Sequence, residues 1–138
     1  MSNDSLMAVD HIGYAVRDMQ AAKEKFEALG FTFSLEVADE LRKVNVCVAS
    51  TGDFRVELLA PLEGQKSPID SYLNKIGSTP YHICYRVTDM AESITRLKEA
   101  GFTLLGEPLP SVPLHGDVCF LYANEIGLIE LISYGEKG

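Results

Sequence analysis

HIGYAVRDMQAAKEKFEALGFT, residues 11–32, returns at residues 82–103 as HICYRVTDMAESITRLKEAGFT. Nine of the twenty-two positions are identical: His11/His82, Ile12/Ile83, Tyr14/Tyr85, Val16/Val87, Asp18/Asp89, Met19/Met90, Gly30/Gly101, Phe31/Phe102 and Thr32/Thr103. The correspondence continues beyond the helix with small register changes. Cys47 answers Cys119, and Val56-Glu57-Leu58-Leu59 answers Ile129-Glu130-Leu131-Ile132. Self-similarity on this scale decides the architecture before any single element is assigned. The 138 residues therefore read as one domain built from two copies of one unit, repeats 9–60 and 80–134 joined by a linker over 61–79, related by a pseudo-twofold axis.

Each copy opens with alternating β-branched and aromatic residues, HIGYAV or HICYRV, which suits a strand. Asp18 and Asp89 follow where a helix N-cap belongs, because a carboxylate there accepts the unpaired N–H groups of the first turn. Met19, Ala22, Phe26 and Leu29 recur at helical spacing, as do Met90, Ile94 and Leu97; Gly30 and Gly101 supply the left-handed residue that ends each helix. Three more strands are expected in each half, at Phe31–Leu35, Lys43–Ala49 and Arg55–Leu59, then at Phe102–Leu105, Val118–Tyr122 and Leu128–Ser133. The fold class is α+β: two tandem βαβββ units, forming a curved eight-stranded sheet around a cleft. One short helix is expected in the linker, at Pro68–Lys75.

Strand alternation then assigns faces. If Ile12, Tyr14 and Val16 face the helix, His11 and Gly13 face the open side; Val56 and Leu58 likewise turn Glu57 outward. The same parity puts His82 and Glu130 on the open face of the second copy. In the second long strand the run Val44, Val46, Val48 is read as helix-facing, which turns Lys43, Asn45 and Cys47 toward the cleft, and Cys84 and Cys119 share that inward direction. Two imidazoles and two carboxylates form a competent donor set for one divalent ion, Zn, Co, Ni, Mn or Fe. A carboxylate inside an apolar strand such as RVELLAP needs such a partner, since burying it unpaired costs several kcal/mol.

The βαβββ repeat with this His2Glu2 quartet resembles the vicinal oxygen chelate superfamily, which includes glyoxalase I, methylmalonyl-CoA epimerases, extradiol dioxygenases and bleomycin-binding proteins. DHIGYAVRDM, VELLAPL followed by SPI at 67–69, YHICYRV, LHG at 114–116 and IELI are most similar to the epimerases, over residues 9 to 133. Two motifs differ from theirs: Tyr81-His82 stands where two histidines are usual, and Glu125-Ile126-Gly127 replaces a Gly-Gly. By the resemblance, His11, Glu57, His82 and Glu130 are the metal ligands. The chain would then be an isomerase or epimerase that works through a metal-stabilised enediolate, with Glu130 the first choice of base and Glu57 the second. Lys43 and His115 are candidate substrate contacts. A lactoylglutathione lyase stands as the enzyme alternative, and a non-catalytic antibiotic-binding protein as the other; the absence of Trp removes the latter's best stacking platform. The implied partners are an acyl-CoA or other thioester or a glutathione adduct, and a second copy in a homodimer.

Composition narrows the field further. Twenty acidic residues against twelve basic leave a formal charge of −8 and no basic stripe to neutralise phosphates, which argues against nucleic acid. No apolar run approaches the ~20 residues that span a bilayer, and the start lacks a signal-peptide pattern, so a cytoplasmic protein without membrane contact is expected. Cys47, Cys84 and Cys119 are odd in number and lie in apolar segments, as reduced thiols do.

Overall fold

The computed structural model describes residues 7–63 and 65–135. In chain order the elements are β1 (Ala8–Ala15), α1 (Met19–Ala28), β2 (Thr32–Phe33), β3 (Val37–Asp39), β4 (Val44–Thr51), β5 (Phe54–Pro61) and α2 (Asp70–Lys75). There follow β6 (Thr79–Arg86), α3 (Met90–Glu99), β7 (Thr103–Leu104), β8 (Leu109–Ser111), β9 (Gly116–Ala123) and β10 (Gly127–Ser133). The fold is mixed α+β, and the contacts of the described residues divide it into two compact units: His11–Tyr81, and residues 7–10 together with 82–135. Among the described residues no helix is long and apolar enough to cross a membrane.

In the first unit β5 is the hub. It pairs parallel with β1, Gly13 opposite Glu57, and antiparallel with β4, Val46 opposite Leu59 and Cys47 opposite Leu58. The second unit repeats the plan: β10 pairs parallel with β6, Glu130 opposite Cys84, and antiparallel with β9, Glu130 opposite Phe120. Each unit carries a fifth, short strand beyond the four expected. β2 and β3 lie along successive stretches of β4, as β7 and β8 lie along β9. The strand expected at Phe31–Leu35 breaks because Ser34 bonds twice to Val48: its amide donates to the Val48 carbonyl at 2.9 Å, and its hydroxyl accepts the Val48 amide at 2.9 Å. A side chain thus takes a place in the ladder that a backbone carbonyl would hold.

Both helices start and stop as the repeat predicts. Asp18 Oδ1 accepts the Ala21 amide and Asp89 Oδ1 the Glu92 amide, each at 3.0 Å. At the far ends Gly30 and Gly101 take φ values of 100° and 104°, and the amides of Phe31 and Phe102 return to the carbonyls of Phe26 and Leu97. This closing bond leaves an α-helical carbonyl satisfied and requires the left-handed residue before it. Leu29, expected on the buried face of α1, is instead 71% exposed, because the helix closes at Ala28 and Leu29 serves as its cap.

The helix side of the first sheet buries Val16, Met19, Cys47, Ala49, Val56 and Leu58, with Tyr14 and Phe26 edge to face at 5.3 Å. The opposite side buries Ala15, Val44, Val46 and Leu59 beneath Ile69 and Leu73 of the α2 region. The valine run of β4 therefore faces opposite to the sequence reading. Both sides of that strand are apolar once α2 covers one of them, so hydrophobicity cannot choose the face. Register does: Cys47 shares the helix side with Leu58, its neighbour across the ladder. Asn45 follows Cys47 to the helix side, where its amide donates to Glu36 at 2.9 Å and Lys23 of α1 holds the same carboxylate at 3.1 Å. Cys119 also lies on its unit's helix side, with Val87, Leu121, Ile129 and Leu131. Of the three thiols only Cys84 shares a face with a candidate ligand, His82, two residues away on β6.

Arg17, at the end of β1, anchors α2. Its guanidinium donates to the Leu73 carbonyl and its amide to Ser78 Oγ at 3.4 Å. At the helix start the Ser67 amide and hydroxyl donate to Asp70 at 3.0 and 2.7 Å, and these bonds hold the Asp70 carboxyl below its ordinary range.

Candidate functional site

Within each unit the repeat brings one imidazole to one carboxylate. In the first, Glu57 sits opposite Gly13 on the parallel neighbour, and His11, two residues before Gly13, shares its face. His11 Nε2 lies 3.2 Å from Glu57 Oε1, with side chains 1% and 6% exposed. In the second unit Glu130 sits opposite Cys84, His82 is two residues before it, and His82 Nε2 lies 2.9 Å from Glu130 Oε1 at 1% and 4% exposure. The sequence separations differ by only two residues between copies, yet the register relation is the same. Strand parity read from the sequence put each His on the same face as the Glu of its own unit, and the register agrees.

The chemistry of these pairs fits a divalent cation. Four ionisable groups are buried, and in each unit a carboxylate oxygen lies beside an imidazole nitrogen. Nitrogen and oxygen donors at about 2.0–2.2 Å from one ion stand roughly 3 Å apart when adjacent in its shell. The observed 3.2 and 2.9 Å match that spacing. Each His–Glu pair thus sets one nitrogen and one oxygen at the spacing of neighbouring ligands. Neutral imidazole and ionised carboxylate are also the forms that coordinate.

The two candidate substrate residues lie elsewhere. Lys43 and His115 are both exposed and occupy turns: Glu40–Lys43 between β3 and β4, and the counterpart 112–115 between β8 and β9. Each has φ of 62°, and they are the two described non-glycine residues with positive φ. The turns are copies of one another. Asp39 Oδ1 accepts the Arg42 amide at 3.2 Å, and Ser111 Oγ accepts the Leu114 amide at 3.3 Å. Their left-handed backbone thus belongs to a duplicated hairpin turn. For Lys43 the expected strand-borne direction toward a cleft is replaced by an exposed turn position. His115 borders a hollow of about 430 Å³, also lined by Asp117, Ser133 and Tyr134, at the end of β10.

Two neighbours of the pairs escape a reading based on repeats. The ring of Phe120 stands 5.3 Å from the His82 imidazole at an interplanar angle of 86°. Asp10, buried beside His11 in sequence, accepts a 2.8 Å bond from the Tyr134 hydroxyl. Phe120 corresponds to Val48 in the first copy, and Tyr134 lies beyond the matched segments, so repeat symmetry points to neither. Cys119 feels the site from the other side of its strand: burial first, then the Glu130 and Glu107 carboxylates, push its thiol up to about 11.

This duplicated sheet with a buried His–Glu pair in each half matches a known family. A model described as the Glyoxalase/Bleomycin resistance protein/Dioxygenase superfamily matches residues 10–120, and the chain belongs to that family. Within it the chain is similar to acyl-CoA epimerases. It is 34% identical over 128 residues to the ethylmalonyl-CoA/methylmalonyl-CoA epimerase of Cereibacter sphaeroides, which covers 89% of this chain and 95% of that protein. The structure of methylmalonyl-CoA epimerase from Mycobacterium tuberculosis matches with a TM-score of 0.85 and 25% identity, over 99% of this chain and 94% of that one. A variant of the Streptomyces coelicolor methylmalonyl-CoA epimerase, in complex with 2-nitronate-propionyl-CoA, gives 0.84 and 25%, over 96% and 100%.

Proposed function

We propose that the chain is a metal-dependent epimerase of a 2-alkyl acyl-CoA thioester, methylmalonyl-CoA or a near homologue, with His11, Glu57, His82 and Glu130 as the ligands of one divalent ion. The observation that carries the reading is the duplicated, buried imidazole–carboxylate pair, at 3.2 and 2.9 Å, in a chain whose relatives are named epimerases. The ion, Zn, Co, Ni, Mn or Fe, would supply Lewis acidity that polarises the substrate's carbonyl oxygen and acidifies the neighbouring C–H.

Epimerisation needs one group to take the α-proton and another to return one from the opposite face. A chain with a single carboxylate could exchange the proton but not readily invert the centre. Duplication supplies two, and Glu130 is assigned as the base, with Glu57 as its counterpart. Either carboxylate would have to loosen from the ion to take up or return the proton, since coordination occupies its basic lone pair. His115 and Lys43, on equivalent turns, are proposed to contact the substrate's polar periphery. The homodimer and the cytoplasmic setting expected from the sequence belong to the same reading.

The test is solvent exchange. The metal-loaded protein in deuterium oxide is expected to label the α-carbon of racemic methylmalonyl-CoA, and Glu130→Gln to slow labelling by about 10²- to 10⁴-fold, as loss of a general base does. Labelling of the methylglyoxal–glutathione hemithioacetal but not the thioester would replace the epimerase with a lactoylglutathione lyase. Tight metal-free binding of an aromatic ligand with no exchange would leave a binding protein.

A further inference from the structure

Phe120 stands directly across β9–β10 from Glu130, so its side chain rises from the same face as that carboxylate. It meets the His82 ring at 5.3 Å and 86°. An edge-to-face contact is attractive only while the two planes stay near perpendicular, because the edge of one ring must meet the electron-rich face of the other. Histidine's second side-chain torsion is otherwise broad and nearly two-fold, so by itself it does not choose which ring nitrogen meets a neighbour. In the first unit the residue across from Glu57 is Val48, so this position of the repeat carries an aromatic ring in the second copy and an aliphatic side chain in the first.

We propose that Phe120 is a positioning residue that sets the rotation of the His82 imidazole, so that Nε2 is held toward Glu130. Its consequence for cation affinity rests on the metal reading above; the orientation itself does not. An imidazole already turned to its ligand direction loses less freedom on binding, which is how residues behind metal ligands raise affinity.

The test uses the full chain, metal-free, with ¹⁵N-labelled histidine above neutral pH, as wild type, Phe120→Leu, Phe120→Met, Phe120→Tyr and the control Val48→Leu. Long-range ¹H–¹⁵N spectra report the tautomer and averaging of His82. A single tautomer protonated at Nε2 is expected in the wild type, in Phe120→Tyr and in Val48→Leu. Averaged ring nitrogens are expected in the leucine and methionine variants. Cobalt(II) titrations of the same proteins should then weaken about tenfold in the two aliphatic variants and stay near wild type in Phe120→Tyr. Unchanged His82 spectra in whichever aliphatic variant folds would overturn the proposal, as would an equal disturbance in Phe120→Tyr. If the spectra change as expected but the wild type takes up no cobalt, the positioning role stands and the metal reading fails.

Discussion

His82→Ala and Glu57→Ala each remove one member of a pair that is almost wholly buried. If the four residues hold an ion, either change should abolish tight divalent binding, read as metal per chain after gel filtration. The protein should stay folded by far-ultraviolet circular dichroism, since the lost atoms bound an ion rather than filled the apolar core. Cys119 makes a different prediction. Its folded-state value of about 11 stands above the 9.0 of a free thiol, so the folded form holds this proton longer than the unfolded chain does. The stability this contributes is complete below pH 9 and is lost as pH rises toward 11. Burial also raises Cys47, which adds to the same slope. Denaturant midpoints between those limits should therefore fall with pH, and Cys119→Ala, though less stable throughout, should show a shallower fall. An equal slope in the variant would refute this. The residue types at these positions were readable in the sequence. The partners of Cys119 were not, because its face was read together with that of its counterpart Cys47, whose strand the α2 region covers on the other side.

At the scale of elements, the two helix starts are chemically the same, Asp18 to Ala21 and Asp89 to Glu92. Replacing either aspartate by alanine should cost about 0.5–2 kcal/mol, and the double variant close to the sum, as N-cap losses at separate sites do. Urea denaturation of the three variants checks both points. Helices and long strands were legible because caps, glycines and alternation are local signals. Strands β3 and β8 were not, since each is three residues long and exists through its pairing with β4 or β9. The short α2 was anticipated as a helix, but its partners were not. Leu73 and Ile69 cover Val44, Val46, Ala15 and Leu59, and this contact turned the reading of β4 over. Leu73→Ala should thus cost about 2–5 kcal/mol, a core penalty for a residue in what the sequence presents as a linker. A loss below that range would mean that α2 is dispensable to the sheet.

For the whole molecule, duplication does not end where the repeats do. Met7, ahead of the first repeat, packs against the core of the unit that begins at His82, and Tyr81 packs against the core of the unit that ends with it. Tyr134 and Asp10, 124 residues apart, are hydrogen-bonded within one unit. Tyr134→Phe should cost about 0.5–1.5 kcal/mol, the net worth of one part-buried hydrogen bond, read from urea denaturation. Ligand linkage acts on the same scale: an ion bound only by the folded chain adds about 2.7 kcal/mol at one hundred times its dissociation constant. Saturating divalent metal should then raise the melting temperature by about 10 °C over chelator-treated protein. No shift with any of the five candidate metals would count against the quartet.

The amino-acid sequence by itself determined the duplication, the strand and capped helix that open each copy, and the face that each histidine shares with its glutamate. All of these follow from periodicity and from residues acting on their own backbone or one strand away. Only the tertiary structure decided which face of β4 is covered, where Lys43 and His115 stand, and that Phe120 backs His82. A strand with two apolar faces, a turn residue and an aromatic neighbour carry no periodic mark. Their places are set by what packs against them, and that information lies in distant parts of the chain.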